Sequence, residues 1–113
     1  MSKQDQVHLL HIDDEDGVNV HLSLHRREET AHREAAIFIK DRCDESSESL
    51  DHVIECAVKL QYPEAVLASY KKKQSRWQVV RQLLAQEKID EAIDAVNDMD
   101  DYRITLDIYD IEP

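Results

Sequence analysis

The residues of this 113-residue chain whose types could do chemistry are six histidines, two cysteines and a run of four consecutive acids. His21 and His25 share the polar face of the alternating segment "VNVHLSLH", residues 18–25, and His8 or His11 lies across from them according to strand register. A zinc ion asks for three or four such ligands converging at about 2 Å, each oriented by a further hydrogen bond. Neither set is complete in the sequence, so these histidines read as solvent-facing, and no metal or other cofactor is expected. His52 and Cys56 stand four residues apart in a helical pattern and could be drawn as base and nucleophile. Nothing nearby supplies an oxyanion site or a third group to orient the imidazole, and no catalytic residue is assigned. The expectation is a protein that is not an enzyme.

The acid run sits in "LLHIDDEDG", residues 9–17. As a calcium loop with Gly17 as its glycine, Asp14 and Asp16 would fall on ligand positions, but the first ligand would be Ile12 and the last Ser23. Paired acids at the end of an apolar strand, here Asp13 and Asp14, also resemble the magnesium site of a response-regulator receiver domain. A receiver requires a helix next and a phosphorylatable aspartate after a later apolar strand, and this chain supplies neither. Asp16-Gly17 between two apolar segments is instead a hairpin signal, because glycine accepts the positive φ of the turn.

Most of the charge imbalance lies late in the chain. There are 25 acids and 14 bases, a net charge of −11, and residues 87–113 alone carry −8. Such a balance leaves no generally basic surface to clamp phosphates, so direct nucleic-acid binding is disfavoured. In "IDEAIDAVNDM", Ile89, Ala92, Ile93, Val96 and Met99 share one helical face, whereas Asp90, Glu91, Asp94, Asn97 and Asp98 occupy the other. Asp90, Asp94 and Asp98 are successive i, i+4 neighbours, about 6 Å apart, an arrangement that costs the helix a few tenths of a kcal/mol per pair. That spacing is close to the phosphate spacing of a nucleic-acid strand. Asp100, Asp101, Asp107, Asp110 and Glu112 extend the negative field. The basic cluster is "KKKQSR" with Arg81 beyond it, read either as lysines complementing a helix C-terminus or as a contact to an acidic surface.

These residues need elements to place them. The segment 18–25 puts Val18, Val20, Leu22 and Leu24 on one face of a half-buried strand, and "QVHLLHI" before it is strand-like but less regular. "RREETAHREAAIFIKDRC" changes to a helical period, with Ala31, Ala35, Phe38, Ile39 and Cys43 on one side and Glu28 and Glu29 in the first turn. "DESSES" is expected to break this helix, and a second begins near Leu50 with Val53, Ile54, Ala57 and Val58 in its buried stripe. Pro63 limits that helix and starts a short third one. Ser75 caps a fourth that carries Trp77, Val80, Leu83 and Leu84, and "IDEAIDAVNDM" is the last. "YRITLDIYDI" closes the chain as a strand with Tyr102, Ile104, Leu106 and Ile108 on one side. The layout predicts one α+β domain over 1–113, a small sheet of the N-terminal hairpin and the C-terminal strand packed against four to five helices. Which edge the last strand joins is left open.

The first ten residues show neither a signal-peptide pattern nor a membrane anchor, and Cys43 and Cys56 are too few for a disulfide framework and fall in helix-like segments, not in a CxxC or other ligand spacing. They read as reduced thiols of a cytoplasmic protein. The start "VHLLHIDDEDGVNVHLSLHRREETAHREAAIFI" resembles the hairpin-then-helix opening of small acidic proteins of bacteriophages and mobile elements. Some of these inhibit host defences, as anti-CRISPR and anti-restriction proteins do, and several are acidic DNA mimics. The resemblance implies a non-enzymatic protein that occupies a basic surface of a nucleic-acid-handling complex. The residues assigned to that contact are Asp90, Glu91, Asp94, Asp98, Asp100, Asp101 and Asp107, chosen from the charge pattern. The alternative is a small structural or regulatory subunit that acts by oligomerising through the Lys71–Arg81 segment.

Overall fold

The structure, a computed structural model, describes residues 6–110. Its elements are β1 (Gln6–Asp14), β2 (Asn19–His25), α1 (Glu28–Lys59), α2 (Glu64–Ala85), α3 (Ile89–Asp98) and β3 (Tyr102–Asp110). The strands form an antiparallel sheet of order β2-β1-β3, so the closing strand joins the hairpin beside its first strand. The fold is α+β, with three helices among the described residues in place of the four or five expected.

Two expected breaks are absent, for one physical reason. Neither glycine nor proline occurs between 28 and 59, and serine and aspartate each cost a helix interior well under 1 kcal/mol. Cys43, Leu50 and Ala57, all buried, recur every seven residues, so the stripe that packs on α2 keeps its phase across "DESSES". Arg81 of α2 also reaches across to Asp44, 2.8 Å away. Packing of this kind outweighs weak local propensity. Farther along α1 the expected stripe is only partly covered: Val53 and Val58 are exposed. In α2, Ser75 caps nothing; its hydroxyl donates to the Lys71 carbonyl one turn back, at 3.1 Å. The Lys71–Lys73 run therefore lies in mid-helix, away from the C-terminal carbonyls it was expected to complement.

The hairpin reading of "DDEDG" holds in detail. The Gly17 N–H donates to the Asp14 carbonyl at 3.0 Å, the Asp14 N–H donates to the Val18 carbonyl at 2.9 Å, and Gly17 has φ +80°. The Asp14 carboxylate accepts the N–H groups of Asp16 and Val18, both at 2.9 Å. This is a turn closed by an aspartate side chain, with glycine where the backbone turns left-handed. The register slips between Ile12 and Asp13, and the Asn19 amide stitches the irregularity by donating to the carbonyls of Ile12 and His21.

That register decides which side of the sheet is inside. Leu10 and Ile12 are fully buried, and they pair with Ser23 and His21 on one side and with Leu106 and Ile104 on the other. The core thus lies between this face and the helices, gathering Ala35, Ile39, Cys43, Leu50, Trp77, Val80, Ala92, Ile93 and Val96. Tyr102 meets the Phe38 ring edge-on, with centroids 5.3 Å apart. β2 is the inverse of the expectation. Its polar residues His21, Ser23 and His25 face α1, whereas Val20, Leu22 and Leu24 point away from the helices and are 44%, 61% and 68% exposed.

Candidate interaction surface

α3 is amphipathic at the helical period, so once Ala92, Ile93 and Val96 are buried its carboxylates must face out. Asp90, Glu91, Asp94 and Asp98 are all exposed. What fixes the helix is Asn97. Its side-chain oxygen accepts the Ile104 N–H at 2.7 Å, and its amide donates to the Ile104 carbonyl at 3.0 Å. Both backbone groups belong to an edge strand, where they would otherwise await a fourth strand. The sequence pattern had placed Asn97 with the solvent-facing acids.

The seven residues assigned to a partner contact do not form one set. Asp90 is engaged at the start of α3, where its carboxylate lies 2.8 Å from His32 Nε2 of α1. Glu28 approaches the other ring nitrogen of His32 at 3.9 Å. Asp101, partly buried, pairs with Lys73 at 3.0 Å. Asp107 stands on the helix-free face of the sheet, because the inward residues of β3 are Tyr102, Ile104 and Leu106. Glu91, Asp94, Asp98 and Asp100 remain exposed with no cation in ion-pair range among the described residues. Asp110 bonds the Gln6 amide at 3.1 Å, and Glu112 lies outside the described residues.

The fold adds acids that were read separately. Asp13, Asp14 and Glu15 of the hairpin turn line one cleft together with Asn97, Asp100 and Arg103. The C-terminal end of α3 therefore abuts the β1–β2 turn, and Asp100 shares that cleft with Glu15, so the exposed acids of α3 and of the turn form one negative rim with Arg103 set into it. No periodicity within either segment could have joined them; only the pairing of β1 with β3 does.

The nucleophile and metal arrangements resolve plainly. Cys56 Sγ is 3.7 Å from His52 Nε2 on an exposed stretch of α1, and no further hydrogen bond reaches His52 among the described residues. Ser23 Oγ sits between His21 Nε2 at 3.1 Å and His25 Nε2 at 2.7 Å. Glu34 approaches the same nitrogen of His21 at 4.0 Å, so it cannot orient that ring for a serine as a catalytic acid would. His8 pairs with His25 across the sheet, while His11 faces the other side beside Asp13 at 3.0 Å. No group of three or more histidine, cysteine or acidic residues is placed to hold a metal among the described residues. Burial pushes the Cys43 thiol up to about 11. Donation to the Tyr102 hydroxyl oxygen, ahead of the opposing effect of burial, raises Arg42 above its usual value.

The fold defines an α+β protein with helices on one face of a three-stranded sheet. Comparison with family models, with curated proteins and with solved structures returned no match in any of the three. No helix among the described residues is long and apolar enough to cross a membrane.

Proposed function

We propose that this chain is a non-enzymatic interaction protein that sets a rim of carboxylates against a basic surface of a nucleic-acid-handling protein, in the manner of a phage-encoded inhibitor that mimics DNA. The observation that carries the reading is the set of exposed acids with no cation in ion-pair range among the described residues, Glu91, Asp94, Asp98 and Asp100, the last sharing a cleft with Glu15 of the hairpin turn. Within α3, neighbouring carboxylates repel one another, and the repulsion is relieved when a cationic groove replaces water beside them. Asp90 and Asp101 hold the surface in place through His32 and Lys73, and Asp107 lies apart from it.

The test is capture from a bacterial lysate on the immobilised chain, followed by elution with double-stranded DNA. The reading expects captured proteins to be released by DNA, and expects the Glu91→Lys, Asp94→Lys, Asp98→Lys triple variant to capture them only weakly. Proteins that stay bound in excess DNA, or that bind the triple variant equally, would refute it.

A further inference from the structure

The helix-free face of the sheet carries Val20, Leu22 and Leu24 of β2, Val7 and Leu9 of β1 and Tyr109 of β3. Leu22 and Leu24 are more than half exposed, so neither contributes much to the monomer's core. A half-covered antiparallel sheet ordinarily keeps its polar residues on the open side; in β2 the order is reversed. Asp13, Arg103 and Asp107 are the Asp, Glu, Lys or Arg residues that the described strands place on this face, so most of the net −11 is carried elsewhere. Three strands of about seven residues cover roughly 14 by 23 Å. Two such faces pressed together cover roughly 650 Å² in projection, and the relief of the side chains brings the accessible area lost towards the ~1,000 Å² of a specific interface.

We propose that this face packs on the same face of a second copy, about a two-fold axis that crosses the strands at the row His11, Leu22 and Thr105. The register supports that axis. His11 pairs with both Leu22 and Thr105, so the row is the midpoint between Arg103 and Asp107 on β3 and lies between Val20 and Leu24 on β2. The rotation lays β2 on β2, with Leu22 on its own copy and Val20 opposite Leu24. It also sets Arg103 of each copy against Asp107 of the other. On the central strand it sets Asp13 of each copy, with His11 beside it at 3.0 Å, opposite Leu9 of the other, whereas an axis along the strands would put Asp13 on its own copy and Leu24 on Asp107 and leave Arg103 unmatched. Self-complementarity of this kind is the mark of an isologous contact. The surface meets the acidic rim only at Asp13 and Arg103 and leaves the carboxylates of α3 outside it, so the dimer would display two such rims, and its failure would leave the proposed function standing.

Sedimentation equilibrium over a range of concentrations tests this. The wild-type chain is expected at twice its 13.2 kDa. Leu22→Lys with Leu24→Lys should weaken association by roughly a hundred-fold or more while leaving the helical circular dichroism and melting of the monomer unchanged. Arg103→Asp and Asp107→Arg should each weaken the dimer, and the double exchange should recover it. A wild-type monomer would assign the face to some other protein and overturn the proposal. So would a dimer indifferent to the leucine changes, or a double exchange no tighter than the single ones.

Discussion

Asn97 stands among the acids of α3 in the sequence, yet its side chain does the work of a strand, bonding both backbone groups of Ile104. Removing it orphans a part-buried N–H and carbonyl together, and Asn97→Ala should cost about 1–3 kcal/mol in urea denaturation. A loss within a few tenths would mean that water satisfies those groups as well. Cys43 offers a second check at this scale. Its thiol is 1% exposed and its pKa is raised to about 11 by burial, whereas Cys56 lies half-exposed on the same helix. One thiol should therefore react promptly with a thiol reagent at neutral pH and the other only on unfolding. Because the folded-state pKa is raised, the unfolded chain loses this proton first as pH rises. Stability is then unaffected below about 9 and falls between about 9 and 11, by up to about 1.4 kcal/mol per pH unit. Cys43→Ala should remove that fall; a curve unchanged by the substitution would contradict the assignment.

The elements were partly legible. The hairpin, the helical start at Glu28 and Glu29, the acidic helix and the closing strand all follow from period and turn chemistry. Helix number did not, because a run such as "DESSES" weakens a helix without forbidding it, and the packing of α2 decides the outcome. Glu48 is exposed in the middle of that run, so Glu48→Pro tests the backbone alone. A continuous α1 predicts a loss of about 3 kcal/mol or more, whereas a loop there would tolerate the change. The helix ends show a related economy. Gln61, Glu87 and Asp100 each adopt a left-handed backbone, with φ of 55°, 59° and 63°, just past the three helices. In the first two, the following N–H reaches back five residues, Tyr62 to Ala57 and Lys88 to Leu83, both closing a Schellman-type end. Glycine is the usual residue there, and the chain's one glycine is spent on the hairpin. Glu87→Gly should accordingly raise stability by about 0.5–1 kcal/mol, read from the thermal midpoint.

For the whole molecule, the candidate site was legible as charge but not as shape. Strand parity alone separates Asp107 from the helix side, since Tyr102, Ile104 and Leu106 must face inward. The partners of Asp90 and Asp101, His32 and Lys73, are 58 and 28 residues away in sequence, and no local pattern joins them. Nor could alternation in β2 tell its inner side from its outer. β1 is apolar on both faces, with Val7 and Leu9 on one and Leu10 and Ile12 on the other, and the turn register chose which leucines of the hairpin were buried. The outcome is a chain with two unlike surfaces, an apolar sheet face and an acidic rim, and salt would separate the roles proposed for them: screening weakens attraction between a carboxylate rim and a cationic partner but leaves contact between apolar faces largely intact.

The most direct test of the acidic rim is the salt dependence of affinity for a protein captured by the chain, measured for the wild type and for the Glu91→Lys, Asp94→Lys, Asp98→Lys variant. Affinity of the wild type should fall steeply as salt rises, while the variant should bind weakly with little dependence on salt. Equal slopes for the two proteins would contradict the account.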